Sequence, residues 1–113
     1  MNDIQDIYAV LLARGYARQL FQDLKDQRQE GREVRAACPF CPDHGHHFSY
    51  SLDKPVWTCY ATGEGGDWIG YLERRSFEFK EALALLADVA GVKLQGLDRR
   101  GYDSYVRKAD LLE

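Results

Sequence analysis

Long apolar runs are missing from this 113-residue chain. None approaches the ~20 residues that span a bilayer, and Met1-Asn2-Asp3 opens no signal peptide, so no membrane or secreted protein is expected. Cysteine is scarce too. Three cysteines cannot all pair, which argues against a disulfide scaffold and for a reduced, cytoplasmic chain. An excess of one charge is also absent: Lys+Arg 15 against Asp+Glu 18 gives a net charge of −3. The stretches 1–30, 31–80 and 81–113 each net −1, so there is neither an acidic tail nor a basic arm. Any phosphate-binding face must therefore be built by folding. What remains is ordinary for a folded chain, with 45% hydrophobic and 12% aromatic residues in a length that suits one domain.

The pattern predicts helical ends around a β-like middle. Ile4, Ile7, Tyr8, Leu11 and Leu12 recur at helical spacing, with Asn2 or Asp3 as N-cap and Gly15 as stop. Leu20, Phe21 and Leu24 extend helix further, and the polar residues 27–31 read as a helix end and loop. Alternation then marks strands at 33–37 and 47–51, and the β-rich run 56–60 adds a third, joined to the second by the turn Leu52-Asp53-Lys54-Pro55. After Gly65-Gly66, Asp67 is expected to cap a short helix burying Trp68, Ile69 and Leu72. Ser76 is expected to cap a longer one, with Phe79, Leu83, Leu86 and Val89 as its stripe and Gly91 as its end. The expected fold is α+β, a small antiparallel zinc-ribbon sheet flanked by N-terminal and C-terminal helices. One domain is expected over 1–94 (helical 1–30, ribbon 32–62, helices 66–90), with 95–113 as a linker or tail.

The ribbon reading comes from the cysteines. Cys38-Pro39-Phe40-Cys41 is followed, after 17 residues, by Cys59 on the far hairpin arm. A C-x2-C pair after a strand turns both sulfurs inward, and a third thiol across the hairpin makes a tetrahedral Zn²⁺ site feasible. The position two residues beyond Cys59's neighbour, where a fourth thiol would stand, is Thr62. His44 is the preferred fourth ligand, since it can fold back over the first pair, with His46 and His47 as alternatives. Cys38-x2-Cys41 also has glutaredoxin spacing. Pro42 and a histidine-rich loop follow it rather than the long helix that would activate the first thiol, so redox catalysis is not expected.

These residues resemble the N-terminal zinc-binding domain of bacterial DnaG-type DNA primases, the Cys-His-Cys-Cys primase zinc-finger family. The resemblance runs over roughly residues 4–95. It rests on Cys38-Pro39-Phe40-Cys41, Phe48-Ser49, Trp57-Thr58-Cys59-Tyr60, the run from Gly63 to Ile69, Tyr71-Leu72-Glu73, Ser76-Phe77, Glu81-Ala82 and Leu85-Leu86. Cys38 and Cys59 match the first and third ligands. Cys41 stands where the family has histidine, and Thr62 where it has the fourth cysteine.

The resemblance implies binding of single-stranded template and help with primer initiation in DNA replication. The implied partners are a primase catalytic domain in cis or in trans and a helicase, together forming a primosome. Such binding needs stacking aromatics and nearby cations. The candidates are Tyr50, Trp57 and Tyr60 with Arg32, Arg35, Lys54, Arg74 and Arg75, whereas Phe48 and Trp68 are expected in the core. Asp43-His44-Gly45-His46-His47 replaces a lysine-bearing stretch of the family, so weak, salt-sensitive binding is expected. Primer synthesis needs clustered carboxylates holding divalent metal, and Asp98, Asp103 and Asp110 lie scattered among cations. The chain is not expected to be catalytic on its own. The second reading is a structural or regulatory zinc ribbon that binds protein, through the helix at 77–90 or the segment from Tyr102 to Leu112.

Overall fold

Ile4, Ile7, Tyr8 and Leu11 line one face of the first helix, α1 (Asp3–Ala13), and all four are buried. A computed structural model describes residues 3–41 and 45–92 of the chain. Asn2 as a cap, the tail at 95–113 and His44 as a ligand lie outside the described residues. Gly15, at φ 72°, ends the first helical run and starts α2 (Tyr16–Leu20). The chain then turns through Phe21 and Leu24. The Gln27 side chain donates to the Phe21 carbonyl at 2.6 Å and the Leu24 carbonyl at 3.1 Å, satisfying acceptors that a helix end leaves open.

Five strands follow in a simple antiparallel meander: β1 (Arg28–Glu30), β2 (Glu33–Ala36), β3 (Phe48–Ser51), β4 (Val56–Cys59) and β5 (Gly65–Asp67). The three expected strands are present, each slightly shorter than the alternation suggested. The outer two correct the sequence reading. Residues 28–30 are a strand, not a helix end, because Gly31 at φ 66° turns the chain within two residues and pairs Glu30 with Glu33. Gly65-Gly66 is likewise strand. A Cβ at Gly65 would meet the Trp57 carbonyl oxygen at 2.8 Å, so only glycine lets β5 pair this closely with β4.

Pairing register separates two faces. Val34, Tyr50, Trp57 and Gly66 form one cross-strand row, and Ala36, Phe48 and Cys59 a second, on the face toward the helices. Arg28, Arg35, Ser49 and Thr58 form a row on the other face. The inner rows build an aromatic core. Phe48 stacks on Trp57 with centroids 5.5 Å apart, Phe21 on Tyr50 at 4.3 Å, and Tyr71 closes on Phe21 at 4.5 Å. Phe48 and Trp68 are buried as expected.

Two helices complete the fold, α3 (Trp68–Arg74) and α4 (Phe79–Ala90). Among the described residues no helix is long and apolar enough to cross a membrane. Asp67 caps α3 by accepting from the Gly70 amide at 3.0 Å. Its other carboxylate oxygen accepts the Tyr8 hydroxyl at 2.6 Å, and its carbonyl accepts the Trp57 indole N–H at 3.0 Å. One residue thus joins α1, β4 and α3. Asp67→Ala is expected to cost about 2–4 kcal/mol, from the lost cap and the lost acceptor of the Tyr8 hydroxyl proton, read as a lowered urea midpoint with Asp67→Asn losing less. Ser76 is not the cap of α4. It sits at φ 77°, and Glu78 caps the helix through a reciprocal capping box with Glu81, which satisfies two backbone amides where a serine would satisfy one. Gly91 ends α4, as the sequence predicts.

Candidate metal centre

Cys38 and Cys41 lie in the loop after β2, and Cys59 is the last residue of β4. All three are buried. The Cys59 sulfur lies 3.6 Å from that of Cys38 and 3.5 Å from that of Cys41, and all three lie within 4.8 Å of one another. A tetrahedral ion with metal–sulfur bonds of about 2.3 Å spaces its sulfurs at about 3.8 Å. The spacing and the donor chemistry therefore fit a zinc-type site. Backbone bonds hold each side of it. The Cys38 amide donates to the Gly45 carbonyl at 3.0 Å, the Cys59 amide to Glu64 at 2.7 Å and the Gly63 amide to Cys59 at 2.9 Å.

The three thiols are not equivalent. Cys41 shares hydrogen bonds with Cys38 and Cys59, and these together with burial push its thiol up to about 12. Burial pushes Cys59 up as well. The hydroxyl and amide of Thr62 and the neighbouring thiols, all donating to its sulfur, outweigh that and bring it down to about 6.

Among the described residues the cluster consists of these three sulfurs. His46 is exposed, with Nε2 3.7 Å from an Asp26 carboxylate oxygen. His47 packs its ring against Gly45, where a Cβ would meet Nε2 at 2.5 Å. Neither joins the sulfurs, and His44 lies outside the described residues.

The surface aromatics expected from the sequence divide sharply. Tyr50 and Trp57 are core side chains, 1% and 3% exposed, which corrects their assignment as stacking platforms. Their row faces the helices, and Phe21, in the turn after α2, and Tyr71 of α3 cover it. Tyr60 is 54% exposed, with the Arg35 guanidinium 4.9 Å above its ring. Arg35 also lies 3.8 Å from Glu30, and Arg32 lies 3.5 Å from Asp53, both pairs being well exposed. Lys54 is exposed in the β3–β4 turn. Arg74 covers the Phe40 ring at 4.5 Å and pairs with Glu64. Arg75 is committed within the fold, donating to Asp23 at 2.6 Å and to the Tyr71 hydroxyl at 2.9 Å, so its assignment to a template face is corrected. Arg28 was missed. It stands opposite Arg35 in register, and Gly31, a turn residue just before the alternating run at 33–37, was the available sign of the hairpin that puts it there.

The family model of the CHC2 zinc finger, the DnaG zinc ribbon, matches residues 5–102. A DNA primase of Clostridium acetobutylicum is 30% identical over 86 residues, covering 75% of this chain and 14% of that protein. A DNA primase of Halalkalibacterium halodurans is 37% identical over 68 residues, covering 59% of this chain and 11% of the relative. The crystal structure of the zinc-binding and RNA polymerase domains of the Aquifex aeolicus primase superposes with a TM-score of 0.70 at 25% identity. It covers 89% of this chain and 25% of that one. The chain thus spans about a seventh of the first of these relatives and less of the second. The three-sulfur cluster, the five-stranded meander and the family match over residues 5–102 agree, and the chain belongs to the CHC2 zinc-finger family of DnaG-type DNA primases.

Proposed function

We propose that this chain is a template-contacting zinc-ribbon module that assists primer initiation in DNA replication. Cys38, Cys41 and Cys59 hold one Zn²⁺, with His44 as the fourth ligand. The ion supplies a cross-link between the two loops and performs no chemistry on substrate. Structural zinc of this kind stabilises a sheet too small to do so alone. The module acts with a primase catalytic domain, in cis or in trans, and with a helicase.

The observation that carries the nucleic-acid reading is Tyr60, an exposed ring topped by the Arg35 guanidinium on the sheet face turned away from the helices. A base can stack on such a ring while Arg35, Arg28, Arg32 and Lys54 meet phosphates. Stacking of this kind contributes about 1–3 kcal/mol per base. The net charge of −3 keeps affinity low, and tethering to a larger partner then raises the effective concentration. Single-stranded oligonucleotide binding, followed by fluorescence anisotropy, is expected to be weak. About three phosphate contacts give a slope near −2 in log affinity against log salt. The Arg35→Ala, Lys54→Ala double variant is expected to lose most of that slope, and Tyr60→Ala to bind about tenfold less. Equal affinity of the native chain and the double variant at low salt would sink the template reading.

The structure offers one observation for the protein-binding alternative. Leu85 and Val89 on α4 and Phe77 just before it are exposed apolar side chains, Phe77 and Leu85 sharing a groove with Glu81 and Asp88. On that reading the same titration shows no salt-dependent DNA binding at all.

A further inference from the structure

Phe77 and Leu85 are 39% and 38% exposed, and with Val92 they line an open groove of about 570 Å³. The charged side chains along it are Glu81 and Asp88, both acidic. An exposed apolar groove edged by carboxylates suits a segment that carries apolar and basic residues together. The same chain supplies one. Gly91, at φ 72°, turns the backbone off α4, and the Val92 amide donates to the Ala87 carbonyl at 3.0 Å. Val92 itself lines the groove, so residues 93–113 set out from its edge. Within 99–108, Arg99, Arg100, Arg107 and Lys108 stand against one carboxylate, Asp103, with Tyr102, Tyr105 and Val106 among them. Reach is sufficient. The 12 residues of α4 span about 18 Å, whereas the chain from Val92 to Arg99 extends up to ~23 Å.

We propose that the segment 99–108 docks on the α4 groove of its own chain. Its tyrosines and Val106 cover Phe77 and Leu85, and its cations face Glu81 and Asp88. The contact needs little intrinsic affinity, because a short tether holds the segment at an effective concentration in the millimolar range. A groove filled in this way is closed to other proteins, so a protein partner reaches this face only when the segment leaves it.

The test is chymotrypsin cleavage after Tyr102 and Tyr105 in the full chain, followed by mass spectrometry, with the peptide 93–113 as undocked reference. A docked segment is cut only in its open fraction, so cleavage in the chain is expected to be about tenfold slower than in the peptide. Leu85→Ser and Asp88→Lys remove the apolar and the acidic half of the groove, and each is expected to bring the rate most of the way back. Both side chains are exposed, and a cation near the C-terminal end of α4 suits the helix dipole. Should Leu85→Ser lower the helix content by circular dichroism, Asp88→Lys carries the comparison. Cleavage of the native chain at the peptide rate overturns the proposal, as does protection that survives both substitutions. Protection that grows with protein concentration also overturns it, since a second copy then fills the groove.

Discussion

Cys59→Ser is expected to strip the chain of its metal and unfold the ribbon. Of the three cysteines, Cys59 is the one on the β3–β4 hairpin, so a metal cross-link between that hairpin and the Cys38–Cys41 loop runs through its sulfur. It is also paired in register with Phe48, at the heart of the core. Serine keeps the shape but supplies no thiolate, and two sulfurs are too few for a stable structural site. Zinc contributes an apparent ~10–16 kcal/mol in small finger peptides, against a whole-domain stability of about 5–15 kcal/mol. Even half of that term, about 5–8 kcal/mol, is comparable to the whole stability of such a domain. Elemental analysis should give one zinc per native chain and none in the variant, and thermal melting should lose its cooperative transition. Chelator treatment of the native chain should reproduce the loss. A variant that melts like the native chain would show that the sulfurs are merely buried.

Phe48→Ala is expected to cost about 3–5 kcal/mol at saturating zinc, a large share of the total. The ring is fully buried and touches four others: Trp57 at 5.5 Å, Phe21 at 5.7 Å, Tyr71 at 5.9 Å and Phe40 at 6.2 Å. These come from β4, the turn after α2, α3 and the cysteine loop, so no single element can move in to fill the space. Phe48→Leu, which keeps most of the volume, should cost about 1.5 kcal/mol or less. Urea unfolding with excess zinc separates this effect from metal loss. A cost below about 1 kcal/mol for Phe48→Ala would mean that the core collapses around the gap and that Phe48 is not its centre.

Much of this architecture was legible along the chain, and the parts that were not share a cause. Alternation located β2 and β3 because each carries apolar residues on one face and polar residues on the other, and a run of β-favouring residues located β4. The strands β1 and β5 carry no such signal. Arg28-Gln29-Glu30 has no apolar side chain, and Gly65-Gly66-Asp67 nearly lacks side chains altogether. Both become strands because a neighbour offers unpaired backbone groups, and that neighbour is fixed by other parts of the fold. The cap of α4 was misplaced by two residues for a related reason. Ser76 has the right chemistry for a cap, but the Glu78–Glu81 pair satisfies more of the open amides.

For the functional surfaces the division is sharper. By itself the sequence determined that three cysteines share one small ribbon, that Asp67 caps α3, and that Phe48 and Tyr50 lie on one strand face with Ser49 on the other. Strand periodicity assigns side chains to alternate faces but says nothing about which face is covered. Tertiary structure decided that. Phe21 and Tyr71, distant in sequence, pack over the face holding Tyr50 and Trp57, while Tyr60, beneath Arg35, is left open to solvent. It likewise drew Arg75 into a pair with Asp23, 52 residues away. Identity and spacing set the available chemistry, and long-range packing set which groups meet metal, core or water.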